Sequence, residues 1–446
     1  MNNRNVLNSL IKLAIPTILQ EIMGTLLTYV DTAMVGHLGE KATASVSTTT
    51  TVIWLVSSLP YAFAIGFMAM VSRAYGAKDE KRINALSHLA VFMALGFGVV
   101  ITVICVGLSP FIPIWMRAAE DIRRPASVYF CIVSMAAIFR ISSTFFGTCI
   151  QAVKDTKTPM IINLSSNLLN VILNGILIYG LGMGVTGAAV ATALSYTVQG
   201  LVMSYAFTHK KELGGIRFRE IFAVRKDLLA QVSKIALPAM GTHFISCAGY
   251  VAFAAMVSGM GTTIFAAHSI AVNAEEIFYL PGYGLRTATS ALVGISIGEK
   301  DWEKLRAVRK QSVFITIGMM CFNGILLYLA AYPLMKLFTS SAEVASLGSE
   351  MLKIVAFSEP FFGLMIAWEG ICYGFGRTKS VFIIESFSMW AVRILSTFIV
   401  VEILHLGLRE VWYCMIADNV FKALALTVVN VFSPPEKLIQ AEKVRA

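Results

Sequence analysis

Apolar runs of about 20 residues, long enough to cross a bilayer as a helix, recur twelve times along this chain. They cover residues 13–37, 44–74, 87–109, 127–152, 158–180, 186–208, 232–258, 262–296, 310–337, 348–374, 379–403 and 409–432. Short polar breaks separate them. The pattern predicts an all-α polytopic membrane protein with twelve transmembrane helices. The second and eighth runs exceed a straight crossing and carry Pro60 and Pro281 near their middles, so bends are expected there.

The pattern also repeats. Displacing the chain by 222 positions brings KLAIP (Lys12–Pro16) onto KIALP (Lys234–Pro238). At the same offset TAMVGHLG (Thr32–Gly39) meets AAMVSGMG (Ala254–Gly261), and GAKDEKR (Gly76–Arg82) meets GEKDWEK (Gly298–Lys304). Six spans per repeat make the repeats parallel, related by an axis along the membrane normal. Two pseudo-symmetric six-helix bundles follow, residues 1–208 and 232–446, joined by a basic linker at 209–231. Binding is expected in the cleft between them. Asp31 falls on Phe253 at this offset, which marks it as a special feature of the first repeat.

Composition agrees: 57% of residues are hydrophobic and only 14% charged, against about 25% charged in soluble proteins. The net charge of +10 resembles that of a nucleic-acid binder, but the basic residues sit in short loops, not on a phosphate-binding face. With the amino terminus inside, 25 Lys and Arg fall in inner loops and tails and six in outer loops. That bias predicts cytoplasmic termini in a plasma-membrane protein. The seven cysteines all lie in apolar runs without metal-ligand spacing and read as packing residues. The polar start MNNRNVLNSLIK shows no cleavable signal, so the first helix is expected to be retained.

Candidate chemistry lies inside the spans. Gln20, Gly24, Leu27, Asp31 and Met34 share a helical face in the first run. Asn163, Asn167, Asn170 and Asn174 form an amide face in the fifth. Ala188, Thr192, Ser195 and Gln199 line up in the sixth. Polar groups avoid lipid, so the three faces should converge inside the bundle. Interhelical hydrogen bonding is the plainer reading, and it suits Asn163 and Asn167. An Asp at the centre of a span costs roughly 2.5–3.5 kcal/mol, which packing does not repay. Asp31 with Asn170, Asn174 and Thr192 therefore reads as a site for a proton or for Na⁺, two ions that would compete there.

The second repeat carries Glu275, Glu276 and Arg286 in the eighth run, with Glu276, Tyr279 and Tyr283 on one face, and Glu359, Glu369 and Glu385 further on. Glu276, Tyr279, Tyr283 and Glu369 are candidates for coupling or cation attraction. The competing reading is ion pairing, of Glu275 or Glu276 with Arg286 and of Glu385 with Arg393. His243 and His268 read as packing donors. Some of the 21 Met and 28 Phe should line the cleft, where soft, aromatic faces suit organic cations.

VDTAMVGHLG (Val30–Gly39), with NVILNGILIYG (Asn170–Gly180) and GVTGAAVAT (Gly184–Thr192), resembles the multidrug and toxic compound extrusion (MATE) family of the larger flippase-like superfamily. The resemblance implies a V-shaped pair of bundles working by alternating access. It implies a monomer that exports cationic amphipathic compounds in exchange for H⁺ or Na⁺, with no cofactor. Asp31 matches the family's first-helix acid, and Asn170 and Thr192 match other members of its amino-lobe cation site. Asn174 stands where many members have Asp, a departure that should weaken Na⁺ binding and favour H⁺. Ser246 stands where some relatives carry a seventh-span acid. A flippase for lipid-linked precursors is the alternative, and only five Lys or Arg within the spans speak for it. A channel or scaffold is less consistent with an acid found in one repeat. No GxxxxGK[ST] loop or enzymatic constellation is present, so neither direct ATP use nor catalysis is expected.

Overall fold

The computed structural model describes residues 3–215, 221 and 225–432. Arg217 and Arg219 of the basic linker, and the tail after residue 432, lie outside the described residues. Within them the chain is helical throughout, with no strand. In the first repeat the helices are α1 Asn3–Gly36, α2 Glu40–Gly76, α3 Glu80–Leu108, α4 Glu120–Met135, α5 Ala137–Ala152, α6 Lys157–Asn174 and α7 Gly184–Thr208. In the second they are α8 Lys226–Gly259, α9 Thr262–Glu299, α10 Trp302–Phe338, α11 Ala342–Ala356, α12 Glu359–Gly374, α13 Thr378–Phe387 and α14 Leu408–Phe432. Counting α4 with α5 and α11 with α12 as single spans gives twelve. Eleven satisfy the length and hydropathy expected of a crossing. The remaining one, α9, carries Glu275, Glu276 and Arg286.

Helices α2 and α9 run unbroken through Pro60 and Pro281. The sharp breaks fall elsewhere, 46° between α4 and α5 and 55° between α11 and α12. They occur at Ala136 and at Phe357–Ser358, equivalent positions of the repeat. In the second, Pro360 opens α12, where a missing N–H costs nothing.

Backbone geometry follows the 222-residue offset at three turns. Left-handed conformations recur at Lys78 and Lys300 (φ 54° and 58°), at Lys154 and Gly376 (69° and 68°), and at Gly39 and Gly261 (102° and 121°). The caps recur too. Asp79 accepts from Arg82 N–H at 3.0 Å, and Asp301 from Lys304 N–H at 2.9 Å.

Two compact units emerge, one joining the chain up to Ile18 with that from Pro238 onward, the other spanning Leu19–Leu237. Their boundaries fall within α1 and α8, not at the 209–231 loop. The cause is local. Thr17 Oγ1 donates to Gly284 O at 2.8 Å, and Gly284 has no Cβ because one would stand 2.6 Å from Ile18 N. At the other boundary Arg82 donates to Gln231 Oε1 at 2.8 Å.

Many large apolar side chains point outward, among them Leu329, Phe314 and Leu337, as a lipid-facing surface requires. At the polar edge of the Leu19–Leu237 unit, Asp155 accepts from Lys210 Nζ at 2.6 Å and from the Thr158 hydroxyl at 2.7 Å. Burial alone would push this carboxyl up, but these bonds outweigh it and hold it below the usual carboxylate range.

Helices α5 and α7 touch where Gly200 meets Phe139; a Cβ there would lie 2.5 Å from the Phe139 carbonyl oxygen. Gly200→Val is expected to destabilise the unit by about 1–3 kcal/mol through overpacking, read as a lowered midpoint in thermal unfolding of detergent-solubilised protein.

Candidate functional site

Asp31 on α1 faces the end of α6. The Asn174 side-chain N–H donates to Asp31 Oδ1 and lies 3.3 Å from Asn170 Oδ1. Turning the Asn170 amide over improves the network. Its nitrogen then donates to Asp31 Oδ1 at 3.1 Å, and its oxygen accepts from the Thr192 hydroxyl and backbone N–H, each at 3.3 Å. One carboxylate is thus held by two neutral amides, with a hydroxyl behind them. Asn174 is fully buried, and its carbonyl oxygen meets no donor. Leaving such an acceptor dry costs about 1–3 kcal/mol, so its position beside Asp31 calls for a role.

The backbone singles out the same place. Directly after Asn174 the helix widens into a π-helical segment, Gly175–Gly180, a feature frequent at functional sites. Tyr179 within it donates to Met34 O at 2.7 Å and ties it to α1. Sequence reasoning missed Tyr129 of α4. It is buried, within hydrogen-bonding reach of Thr192 and in the field of Asp31. No polar stripe announces it.

The supporting residues separate. Asn163 accepts from Gln199 at 2.5 Å, and Asn167 packs near Gly24. Gln20 Oε1 is buried without a donor. Ala188 does not belong to a polar set. It lies in an apolar cluster with Val35, Tyr129, Val133 and Ile178, as a side chain without polar atoms must.

In the second repeat ion pairs run between helices. Arg286 pairs with Glu369 at 2.6 Å, and its guanidinium lies 4.5 Å from the Tyr283 ring centre and 5.6 Å from that of Tyr373. Tyr279 and Tyr283 form an aromatic group with Phe362, at 5.2 and 6.2 Å. Glu276 is half-buried beside Tyr279. Arg393 pairs with Asp418 at 2.8 Å, and Lys422 lies 3.0 Å from Asp418 and 3.6 Å from Glu385. Asp418 is fully buried and also accepts from Ser388 at 2.5 Å. The reading of the sequence overlooked Asp418, although its four-residue spacing from Lys422 was visible.

With this geometry in view, the MatE family model matches residues 16–176 and 238–399, one segment in each repeat. The chain belongs to the MatE family. Within it, the chain is 28% identical over 425 residues to a probable multidrug resistance protein NorM of Thermotoga maritima, covering 93% of this chain and 90% of that protein. It is 24% identical over 399 residues to multidrug resistance protein MdtK of Photorhabdus laumondii, covering 88% and 87%. Among solved structures, an outward-facing multidrug resistance MATE family transporter of the MOP superfamily superposes with a TM-score of 0.91 at 22% identity, covering 96% of both chains. A MOP superfamily transporter from Pyrococcus furiosus superposes at 0.89, also at 22% identity. The MatE fold of twelve helices is therefore the fold of this chain.

Proposed function

We propose that this MatE-family protein is a secondary antiporter of the plasma membrane, with both termini cytoplasmic, exporting cationic amphipathic compounds in exchange for a proton at Asp31. The observation that carries this reading is an intramembrane carboxylate, held by Asn170 and Asn174, beside a buried amide oxygen with no donor. A proton there removes the only formal charge among these four side chains and changes what the amides face. The same oxygens, with Thr192 Oγ1, make a sparse Na⁺ set. One carboxylate among neutral oxygens favours H⁺, with Na⁺ a weaker competitor. Orientation rests on the 25-to-six excess of basic residues inside. The names of the Thermotoga and Photorhabdus relatives support multidrug export.

The test is efflux of ethidium from proteoliposomes under separately imposed gradients. A pH gradient alone is expected to drive it, and a Na⁺ gradient alone to do so more weakly. In Asn174→Asp the second carboxylate should strengthen the Na⁺-driven component. Efflux that responds to neither gradient would remove the antiport reading.

A further inference from the structure

Two exposed lysines of the second repeat, Lys336 of α10 and Lys353 of α11, meet no carboxylate at ion-pair distance among the described residues. Glu350, three residues before Lys353, is taken by Arg409. Each lysine has an aromatic ring instead. Lys336 Nζ lies 5.3 Å from the centre of the Tyr332 ring, and Lys353 Nζ lies 6.0 Å from that of Tyr328. Phe357 meets Tyr328 edge-on at 5.8 Å. At the 222-residue offset the first repeat carries Ile114, Cys131, Pro110 and Val106 in place of Lys336, Lys353, Tyr332 and Tyr328. The shared fold therefore does not call for this group.

Its depth can be placed. Helix α10 has 37 residues and is about 55 Å long, against about 30 Å of hydrocarbon. Shared between the two ends, the excess sets Tyr328, ten residues before Phe338, near the edge of the hydrocarbon. Lipid phosphates lie at that level. Tyr332 follows Tyr328 by one turn, about 6 Å along the helix. The two ammonium groups, one from each helix, thus serve the same short stretch of surface. Leu329 and Phe357 beside it are 71% and 73% exposed, as residues that touch acyl chains would be.

An ammonium carries three donors, and a ring face occupies only part of that capacity. The surface wants an anion with several acceptor oxygens and an apolar body. An organic cation is repelled by the two lysines. A second copy packed on a twofold axis would bring the same lysines together. An anionic phospholipid meets both demands: its phosphate answers the ammonium and phenol groups, and its chains lie along Leu329 and Phe357.

We propose that Lys336 and Lys353, with Tyr328 and Tyr332, hold the phosphate of one anionic phospholipid in the leaflet opposite the termini. That is the outer leaflet in the orientation proposed above.

Native mass spectrometry of the whole protein tests this, with release from micelles doped with phosphatidylglycerol or with phosphatidylcholine. The parent is expected to retain one phosphatidylglycerol in preference to phosphatidylcholine. Lys336→Gln and Lys353→Gln should each weaken that retention about fivefold. Both side chains are exposed, so the thermal midpoint in pure detergent should not move. Lys78→Gln combined with Lys81→Gln removes two exposed lysines from the opposite end of the spans and should leave the retention intact. Equal retention of the two lipids by the parent would overturn the proposal. So would unchanged retention in the Lys336 and Lys353 variants, an equal loss in the Lys78 and Lys81 variant, or a midpoint lowered in pure detergent. A dimer that dissociates in Lys336→Gln would also overturn it, by giving this face to a second copy.

Discussion

Asp31→Asn is expected to reduce gradient-driven export to the leak rate, while the protein still folds and inserts. Asparagine keeps an oxygen where the carboxylate accepts from the side-chain N–H groups of Asn174 and Asn170, so the junction of α1, α6 and α7 loses little packing. What disappears is the ability to change charge. Coupling between two sites is commonly worth about 1–3 kcal/mol, or 5–150-fold in binding. A loss of that order is expected in efflux of ethidium from everted vesicles, at unchanged expression and unchanged thermal midpoint. Full efflux in the variant would place the coupling group elsewhere and end the reading of this site. A parallel loss of expression would instead make Asp31 a structural residue.

Much of this was legible in the chain. Twelve apolar runs and one offset of 222 residues anticipate the fold. The offset reaches as far as single backbone conformations, since Lys78 and Lys300 share a left-handed geometry that their residue type does not demand. The first-repeat site was legible because its residues fall on three strict helical faces. Bends were legible only in part. Prolines advertise them, yet the helices continue unbroken through Pro60 and Pro281, and breaks with bends of 46° and 55° fall at Ala136 and at Phe357–Ser358. At the first of these no residue type announces the break.

Partner choice between helices was the least legible feature. Arg393 was expected to meet Glu385, eight residues earlier on the same span, and Arg286 to meet Glu275 or Glu276 on its own helix. Both cations reach across to other helices, to Asp418 of α14 and Glu369 of α12. Spacing along one helix fixes which residues share its face. It does not fix the depth and rotation at which a neighbouring helix presents its own. That information appears only when the helices are packed.

Asp418 gives the largest expected effect on stability. It is fully buried, accepts from the Ser388 hydroxyl at 2.5 Å, and stands 2.8 Å from Arg393 and 3.0 Å from Lys422. Asp418→Ala leaves Arg393 without its close anion and Lys422 with only Glu385 at 3.6 Å. Breaking a buried pair from one side costs about 3–5 kcal/mol, because the remaining charge is stranded in a medium that solvates it poorly. Here one anion serves two cations, so the cost belongs at the upper end of that range. The variant is expected to melt far below the parent in detergent, or to fail to accumulate in the membrane. If charge is the cause, removing one cation as well should recover stability. Asp418→Asn combined with Lys422→Met should therefore melt closer to the parent than Asp418→Asn alone, a non-additivity expected only of groups in one network. Additive losses in the double variant would mean that Asp418 acts through its shape and its bond to Ser388, not through its charge.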